Sequence, residues 1–271
     1  MVTRFAPSPT GYLHLGHVVN AIYVWGMARA AAGRVLLRIE DHDRIRSRPE
    51  YEAAILEDLA WLGFEPDEGL RPLVRQSDRY RLYEAALAQL RRSHRVYACD
   101  CSRKRIAGDR YDGFCRDRGL DERPDVGLRV QMDDGGDLLL RDRDGNWTYQ
   151  FAVTVDDLQQ RITQVIRGED LRSSTDRQVR LRGMLGATDA PVFVHHALLV
   201  NADGQKLSKS NADTGVRELR AAGMPAREVI GRAAAAVGLL DSPRALAAHD
   251  VIFAAAAAGE EPVLRQLPQD P

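Results

Sequence analysis

The chain opens on a short apolar run, Val2-Thr3-Arg4-Phe5-Ala6-Pro7, that ends in a Pro/Ser/Gly turn at Pro7–Gly11. A run this short, bounded by turn residues, predicts a strand over 2–7. Apolar residues then recur at three- and four-residue steps (Leu15, Val18, Val19, Ile22, Ala30), which predicts a helix over 15–32 stopped at Gly33. Arg34–Glu40, RVLLRIE, is a second apolar run broken by Arg38 and reads as a second strand. Strand, helix and strand in this order predict a parallel pair joined by a right-handed crossover, the start of a doubly wound sheet. Ligands of such sheets bind beyond the carboxyl ends of the strands. The turn at Pro7–Gly11 and the acids Glu40, Asp41 and Asp43 should therefore share one end.

Further along, Pro49 and Gly63 bracket a helix over about 49–62 with Ala53, Leu56, Leu59 and Ala60 on its stripe. Ser77 reads as the cap of a helix over about 78–92 carrying Tyr80, Tyr83, Leu87 and Leu90. Residues 96–125 lack a period and read as an insertion, and the DDGGD and RDRDG turns predict a hairpin within 126–145. FAVTVDD (151–157) is expected as a strand ending in two acids, and RITQVIRGED as another apolar segment. A helix over 175–186, a strand VFVHHALLV (192–200), a polar loop NADGQKLSKSN and an Ala-rich helical tail follow. The expected division is a Rossmann-type α/β catalytic domain in two halves, 1–95 and 146–215. An insertion at 96–145 separates them, and a short helical region covers 216–271.

Composition narrows the class. At 271 residues and 44% hydrophobic, the chain has enough apolar material for one large α/β domain with an insertion. A net charge of −1 leaves no global basic excess, so any nucleic-acid contact must be local. No apolar run approaches the roughly 20 residues that span a bilayer, and Met1 leads straight into a strand without a basic n-region. A cytoplasmic location without membrane attachment is expected. All three cysteines, Cys99, Cys101 and Cys115, fall within one short stretch. An odd, clustered set is no disulfide framework; in a cytosolic protein it reads as a metal site or as three unliganded cysteines in a loop. Zinc takes four ligands; on general grounds His94, Asp109 or a water is the default partner to complete the three thiolates, and Tyr111 is an unusual one.

The chemistry concentrates at the first turn. A strand entering a helix N-terminus is an anion site, because unpaired backbone N–H groups and the helix dipole point at the turn. His14 and His17 could donate to phosphate oxygens there, and Gly16 would let a phosphate approach the backbone. Much later, Lys206 and Lys209 in Lys-Leu-Ser-Lys-Ser could stabilise a departing phosphate.

His-Leu-Gly-His at the first helix, paired with Lys-Leu-Ser-Lys-Ser after a late strand, resembles the two signatures of class I aminoacyl-tRNA synthetases. Arg4-Phe5-Ala6-Pro7-Ser8-Pro9-Thr10-Gly11, Arg38-Ile39-Glu40-Asp41 and Val165-Ile-Arg-Gly-Glu-Asp170 are similar to the glutamyl branch. The resemblance implies a glutamate site made by Arg4, Phe5, Ala6, Pro7, Ser8, Glu40, Tyr149 and Arg167, and an ATP site made by His14, Gly16, His17, Lys206 and Lys209. Of these, His14, His17, Lys206 and Lys209 are the expected catalytic residues. The residue types suit the ligand: guanidinium forks for carboxylates, a carboxylate for the ammonium, and hydroxyl donors. Either arginine could read the side-chain carboxylate.

Cys99-x-Cys101 followed by Tyr111-Asp-Gly-x-Cys115-Arg resembles the metal insertion of the glutamyl-Q tRNA(Asp) synthetase family, shortened paralogues of glutamyl-tRNA synthetase. That resemblance makes Tyr111 the fourth ligand of a structural Zn2+, with Mg2+ accompanying ATP. Only about 60 residues follow Ser210, which is short for the anticodon-binding domain of a glutamyl-tRNA synthetase. The implied reaction is activation of L-glutamate by ATP and transfer to queuosine in the anticodon of tRNA(Asp), by a monomer. The alternatives are a truncated glutamyl-tRNA synthetase charging tRNA(Glu) and a non-catalytic amino-acid- or tRNA-binding paralogue.

Overall fold

The computed structural model describes residues 1–102, 105, 111–132, 136–199 and 215–253. Strands β1 (Val2–Phe5) and β2 (Arg34–Leu37) pair in parallel, Val2 opposite Arg34 and Phe5 opposite Leu37, as the apolar pattern predicts. Between them runs α1 (Leu15–Ala30). It buries Val18, Ile22, Val24 and Trp25 on several faces rather than one stripe. A helix apolar all round must be covered all round. Here β1, β2, β6 (Gln164–Gly168) and α7 (Ala226–Ala236) supply the cover.

The helix stop differs from expectation. Ala32, at φ 46°, takes the left-handed position, not Gly33. Gly33 is required for a different reason: a Cβ there would lie 2.7 Å from the Met1 carbonyl. Helix α2 (Pro49–Leu62) begins and ends as predicted, with Gly63 left-handed at φ 81°. Its buried face, however, carries Ala54, Ile55, Asp58, Leu59 and Leu62. Ala53 and Ala60 are exposed, so the packed face is rotated from the predicted stripe. Ser77 does not cap α3 (Tyr80–Ser93). It lies in a preceding 3-10 turn, Gln76–Arg79, and its N–H donates to Asp41 at 2.8 Å.

Three strands, β3 (Val96–Cys99), β4 (Gly127–Val130) and β5 (Leu138–Arg141), form an antiparallel sheet in that order. The predicted hairpin is β4–β5. FAVTVDD is not a strand: it lies within helix α4 (Tyr149–Gln159). Its apolar run fits a buried strand and a buried helix equally, and β-branched Val153, Thr154 and Val155 tilt the reading toward strand. Tertiary contacts decide. Phe151, Ala152 and Val155 enter a core shared with Leu87 and Leu90 of α3, Leu128 and Leu140 of the sheet, and Leu181.

Strand β6 (Gln164–Gly168) pairs in parallel with β7 (Val192–His196) across α5 (Thr175–Met184). The Thr163 N–H donates to the Val2 carbonyl at 3.0 Å, which brings β6 alongside β1. Helices α6 (Val216–Ala221) and α7 (Ala226–Ala236) belong to the same core as α1, with Val229, Ile230 and Ala233 fully buried. Phe253 closes that core over Gly26, where a Cβ would meet the ring at 2.6 Å. Among the described residues, no helix is long and apolar enough to cross a membrane.

Candidate active site and metal centre

His14 is the N-cap of α1, in extended backbone at φ −131° and ψ 172°. Its Nδ1 accepts from the Gly16 N–H at 3.1 Å, while Nδ1 of His17 accepts from the His14 N–H at 3.1 Å. This is a capping box built from two imidazoles, satisfying two backbone donors reciprocally. It also sets a tautomer: a neutral ring whose Nδ1 accepts carries its proton on Nε2. Each histidine thus has an N–H donor on the side opposite the backbone. Gly16 is needed for the cap, since a Cβ there would sit 2.9 Å from Cε1 of His14.

That turn forms one wall of a cavity of about 280 Å3 at the carboxyl ends of β1, β2 and β6. Arg4, Ala6, Glu40, Tyr149 and Arg167 form the rest of its floor with Gly168 and Asp170. Of the residues expected to read glutamate, Phe5, Pro7 and Ser8 are not on the wall. The Phe5 side chain is buried against Trp25, ring centroids 5.3 Å apart. β1 alternates, so Arg4 and Phe5 cannot face the same way. Pro7 and Ser8 serve through their carbonyls, which accept from Glu40 N at 2.9 Å and Thr10 N at 2.8 Å. Lys206 and Lys209 lie outside the described residues.

The charges of the floor are unequal. Arg4 Nε donates to Asp157 at 3.2 Å, and Arg38 donates to the same carboxylate at 2.8 Å and to Glu40 at 3.0 Å. Burial would push the Asp157 carboxyl up, but Arg4 and Arg38 outweigh it and hold it below the usual carboxylate range. Arg167 differs. Its guanidinium donates to Gln178 at 2.7 Å, Thr175 at 2.8 Å and His195 at 3.3 Å, and it meets the Tyr149 phenol. All four partners are uncharged. Burial, with Arg4 nearby, pulls the Arg167 pKa below its ordinary value against the opposing pull of Asp157, so the cation is hydrogen-bonded by neutral groups and only partly offset by a more distant carboxylate. Such a site favours an incoming carboxylate.

Several contributors are invisible to motif reading. Asp156 and Asp157, expected at a strand end, instead hold Arg79, Arg38 and Arg4 from α4. Asn20 lines the cavity one turn after His17, and its Nδ2 is 3.0 Å from Nε2 of His196, another wall residue. Helical spacing from His17 could have found Asn20. Gly168 could not be foreseen as a packing requirement: a Cβ there would meet Asp170 Oδ1 at 2.6 Å.

The cysteine cluster is assembled at the end of β3. The three sulfurs lie within 4.8 Å of one another, Cys101 to Cys115 at 3.5 Å. The Tyr111 Oη is 3.5 Å from Cys99 Sγ and 3.4 Å from Cys101 Sγ. Tetrahedral zinc with bonds of about 2.3 Å needs sulfurs about 3.8 Å apart, so three thiolates and one phenol oxygen fit the ion. Among the described His, Cys, Asp and Glu side chains only Cys99, Cys101 and Cys115 come together here, so His94, whose Nε2 lies 3.2 Å from the Met184 carbonyl, is not in the cluster. Asp109 lies outside the described residues. Arg129, donating to Cys99 Sγ at 3.2 Å and stacked 3.9 Å over Tyr111, and Arg118, 3.3 Å from Cys115 Sγ, balance thiolate charge.

The family model for tRNA synthetases class I (E and Q), catalytic domain, matches residues 1–118 and 125–239. The chain is 43% identical over 259 residues to the glutamyl-Q tRNA(Asp) synthetase of Synechococcus sp. (strain CC9605), covering 92% of this chain and 87% of that protein. It is 41% identical to glutamate–tRNA ligase 1 of Acidithiobacillus ferrooxidans (strain ATCC 53993 / BNL-5-31), but spans only 53% of that relative. The crystal structure of a glutamate tRNA ligase from Elizabethkingia meningosepticum in complex with its amino acid superposes with a TM-score of 0.67 at 30% identity. It covers 79% of this chain and 52% of that one. The turn, the cavity and these matches agree: the chain belongs to the class I tRNA synthetase family of the E and Q type and is a ligase of the aminoacyl-tRNA synthetase class.

Proposed function

We propose that the protein activates L-glutamate with ATP, as its magnesium complex, and transfers the glutamyl group to queuosine in the anticodon of tRNA(Asp). The observation that carries the first step is the adjacency of two sites on one cavity wall. Arg167, Glu40 and Tyr149 form a pocket suited to an amino acid with two carboxylates, and His14, Gly16 and His17 form an anion-binding turn beside it. Arg167, with uncharged partners only, reads the side-chain carboxylate. Arg4, already shared with Asp157, supports the pocket rather than neutralising the substrate. Glu40 receives the ammonium. The α-carboxylate then faces the turn that binds the α-phosphate, and attack gives glutamyl-adenylate and pyrophosphate. Positioning and donors to developing charge supply the catalysis. His14 and His17 act through Nε2–H, and Lys206 and Lys209 neutralise the departing pyrophosphate.

Two observations support queuosine of tRNA(Asp) over the 3′ end of tRNA(Glu) as acceptor. The relatives that the chain spans almost whole carry the glutamyl-Q name, and the Cys-x-Cys…Tyr cluster, whose three sulfurs the fold brings together, resembles the metal insertion of that family. Cys99, Cys101, Tyr111 and Cys115 would hold one Zn2+, which with four protein ligands is structural and braces an insertion with little core of its own. Glutamate-dependent ATP–pyrophosphate exchange without tRNA tests the reading. By family resemblance, exchange is expected from the glutamyl-Q type without tRNA. Exchange that appears only on adding tRNA(Glu) supports the glutamyl-tRNA ligase instead.

A further inference from the structure

Arg167, on the cavity floor, and His195 are direct partners in the parallel pair β6–β7. Their side chains meet: Nε of Arg167 lies 3.3 Å from Nε2 of His195. A guanidinium has only N–H groups to offer, so His195 Nε2 accepts and carries no proton. The neutral ring then holds its proton on Nδ1, the reverse of His14 and His17, whose Nδ1 atoms accept. The same logic orients Thr175. Its Oγ1 accepts from Arg167 Nη2 at 2.8 Å and lies 3.2 Å from His195 Nε2, so its hydroxyl proton points to the ring. His195 Nε2 and Thr175 Oγ1 thus cover Nε and Nη2 as the two oxygens of a carboxylate would, but without the charge. Gln178 takes an N–H of Nη1 at 2.7 Å. The remaining Nη hydrogens are left for the Tyr149 phenol and an incoming carboxylate.

We propose that His195 is a positioning residue for substrate binding: as a neutral acceptor it fixes the Arg167 guanidinium at the cavity, and its protonation disables the glutamate site. The inference rests on Arg167 reading the side-chain carboxylate of glutamate. Protonation would set an Nε2–H against two donors, Arg167 Nε–H and the Thr175 hydroxyl, and place a second cation beside the guanidinium. The charged and titratable groups that face the ring are Arg167 on β6, Arg172 and Glu169 on the 3-10 turn Glu169–Ser174, and His196 beside it on β7. Helix α5 contributes the neutral Thr175 hydroxyl. Burial, Arg167 and Arg172, with His196, disfavour the imidazolium. Glu169 opposes them, but it is paired with Arg172 at 2.7 Å. His195 therefore titrates below the ordinary imidazole range. Glutamate affinity is full above that pKa and falls as pH drops through it.

The test measures glutamate-dependent ATP–pyrophosphate exchange between about pH 5 and 8, with the full chain and the variants His195→Gln and His195→Leu. Glutamine keeps an acceptor oxygen that does not titrate, and leucine keeps the bulk but no acceptor. In the unaltered protein the glutamate KM should rise about 10-fold toward the acid end while the ATP KM stays steady. His195→Gln should match the unaltered protein at the alkaline end and stay flat. His195→Leu should show a glutamate KM raised on the order of 10-fold at every pH, with kcat less affected. His14 and His17 are present in all three proteins, so differences between the profiles belong to His195. A flat profile in the unaltered protein, an acid rise retained in His195→Gln, equal glutamate KM in the two variants, or a parallel rise in ATP KM would each overturn the proposal. Absence of exchange in the unaltered protein would remove the glutamate reading, and the proposal with it.

Discussion

The backbone N–H of His14 donates to Nδ1 of His17 at 3.1 Å, so the residue proposed to bind phosphate also stabilises the start of the helix that carries it. Structure and activity can be separated here. His17→Ala removes the cap and the Nε2–H, and should lose about 1 kcal/mol of stability and 10²–10³-fold in exchange rate. His17→Gln can rebuild the capping box, because a glutamine at this helical position accepts from the N-cap N–H. Denaturant melts should show Gln recovering the stability while exchange stays low. Recovery of both by Gln would assign His17 a structural role only.

Arg167 is expected to bind the substrate carboxylate because its hydrogen-bond partners Gln178, Thr175 and His195 are all uncharged. Gln178→Glu places a carboxylate 2.7 Å from its guanidinium and supplies an internal competitor. The glutamate KM in exchange assays should rise roughly 10–100-fold with kcat less affected. Arg167→Lys, which lacks the fork, should be at least as severe. A KM unchanged in Gln178→Glu contradicts the assignment.

Asp58 on α2 is buried, and its Oδ2 has no hydrogen-bond partner. Burial pushes its carboxyl up to about 6 from an ordinary 3.8, against the opposing pull of Arg220 and Arg217. With the native pKa the higher, the folded protein keeps a proton that the unfolded chain has released between about pH 4 and pH 6. This contribution to stability is therefore present below about pH 4 and falls away as pH rises through 6. Asp58→Asn should raise the melting temperature at pH 8 and leave it nearly unchanged at pH 4. An equal shift at both values contradicts the account.

The metal site predicts about one zinc per chain by elemental analysis. Cys115→Ser should lose it, and Tyr111→Phe should weaken retention against a chelator by 10-fold or more, on the order expected for a lost zinc partner. Full retention by Tyr111→Phe would leave the three thiolates with a different fourth ligand.

Much of this site is legible in the sequence, because the first turn is local. The spacing from Arg4 to His17 covers one strand, one turn and one helix start, and each has its own residue signal. What escapes is set by distance along the chain. The FAVTV run reads as a strand until Tyr83 and Phe151 are known to share a core. Asp156 and Asp157 look like an acidic strand end until Arg79, Arg38 and Arg4 are found beside them. Phe5 belongs to the same motif as Arg4, but pleating sends it to Trp25 in the core. The neutral setting of Arg167 depends on Gln178, Thr175 and His195, none of which carries a motif signal for that role.

The acceptor is the central claim, and one measurement addresses it most directly. The protein is incubated with ATP, labelled glutamate and purified tRNA(Asp) with or without queuosine, alongside tRNA(Glu). The account predicts label on queuosine-containing tRNA(Asp) alone. Label on tRNA(Glu), or equally on tRNA(Asp) lacking queuosine, would contradict it.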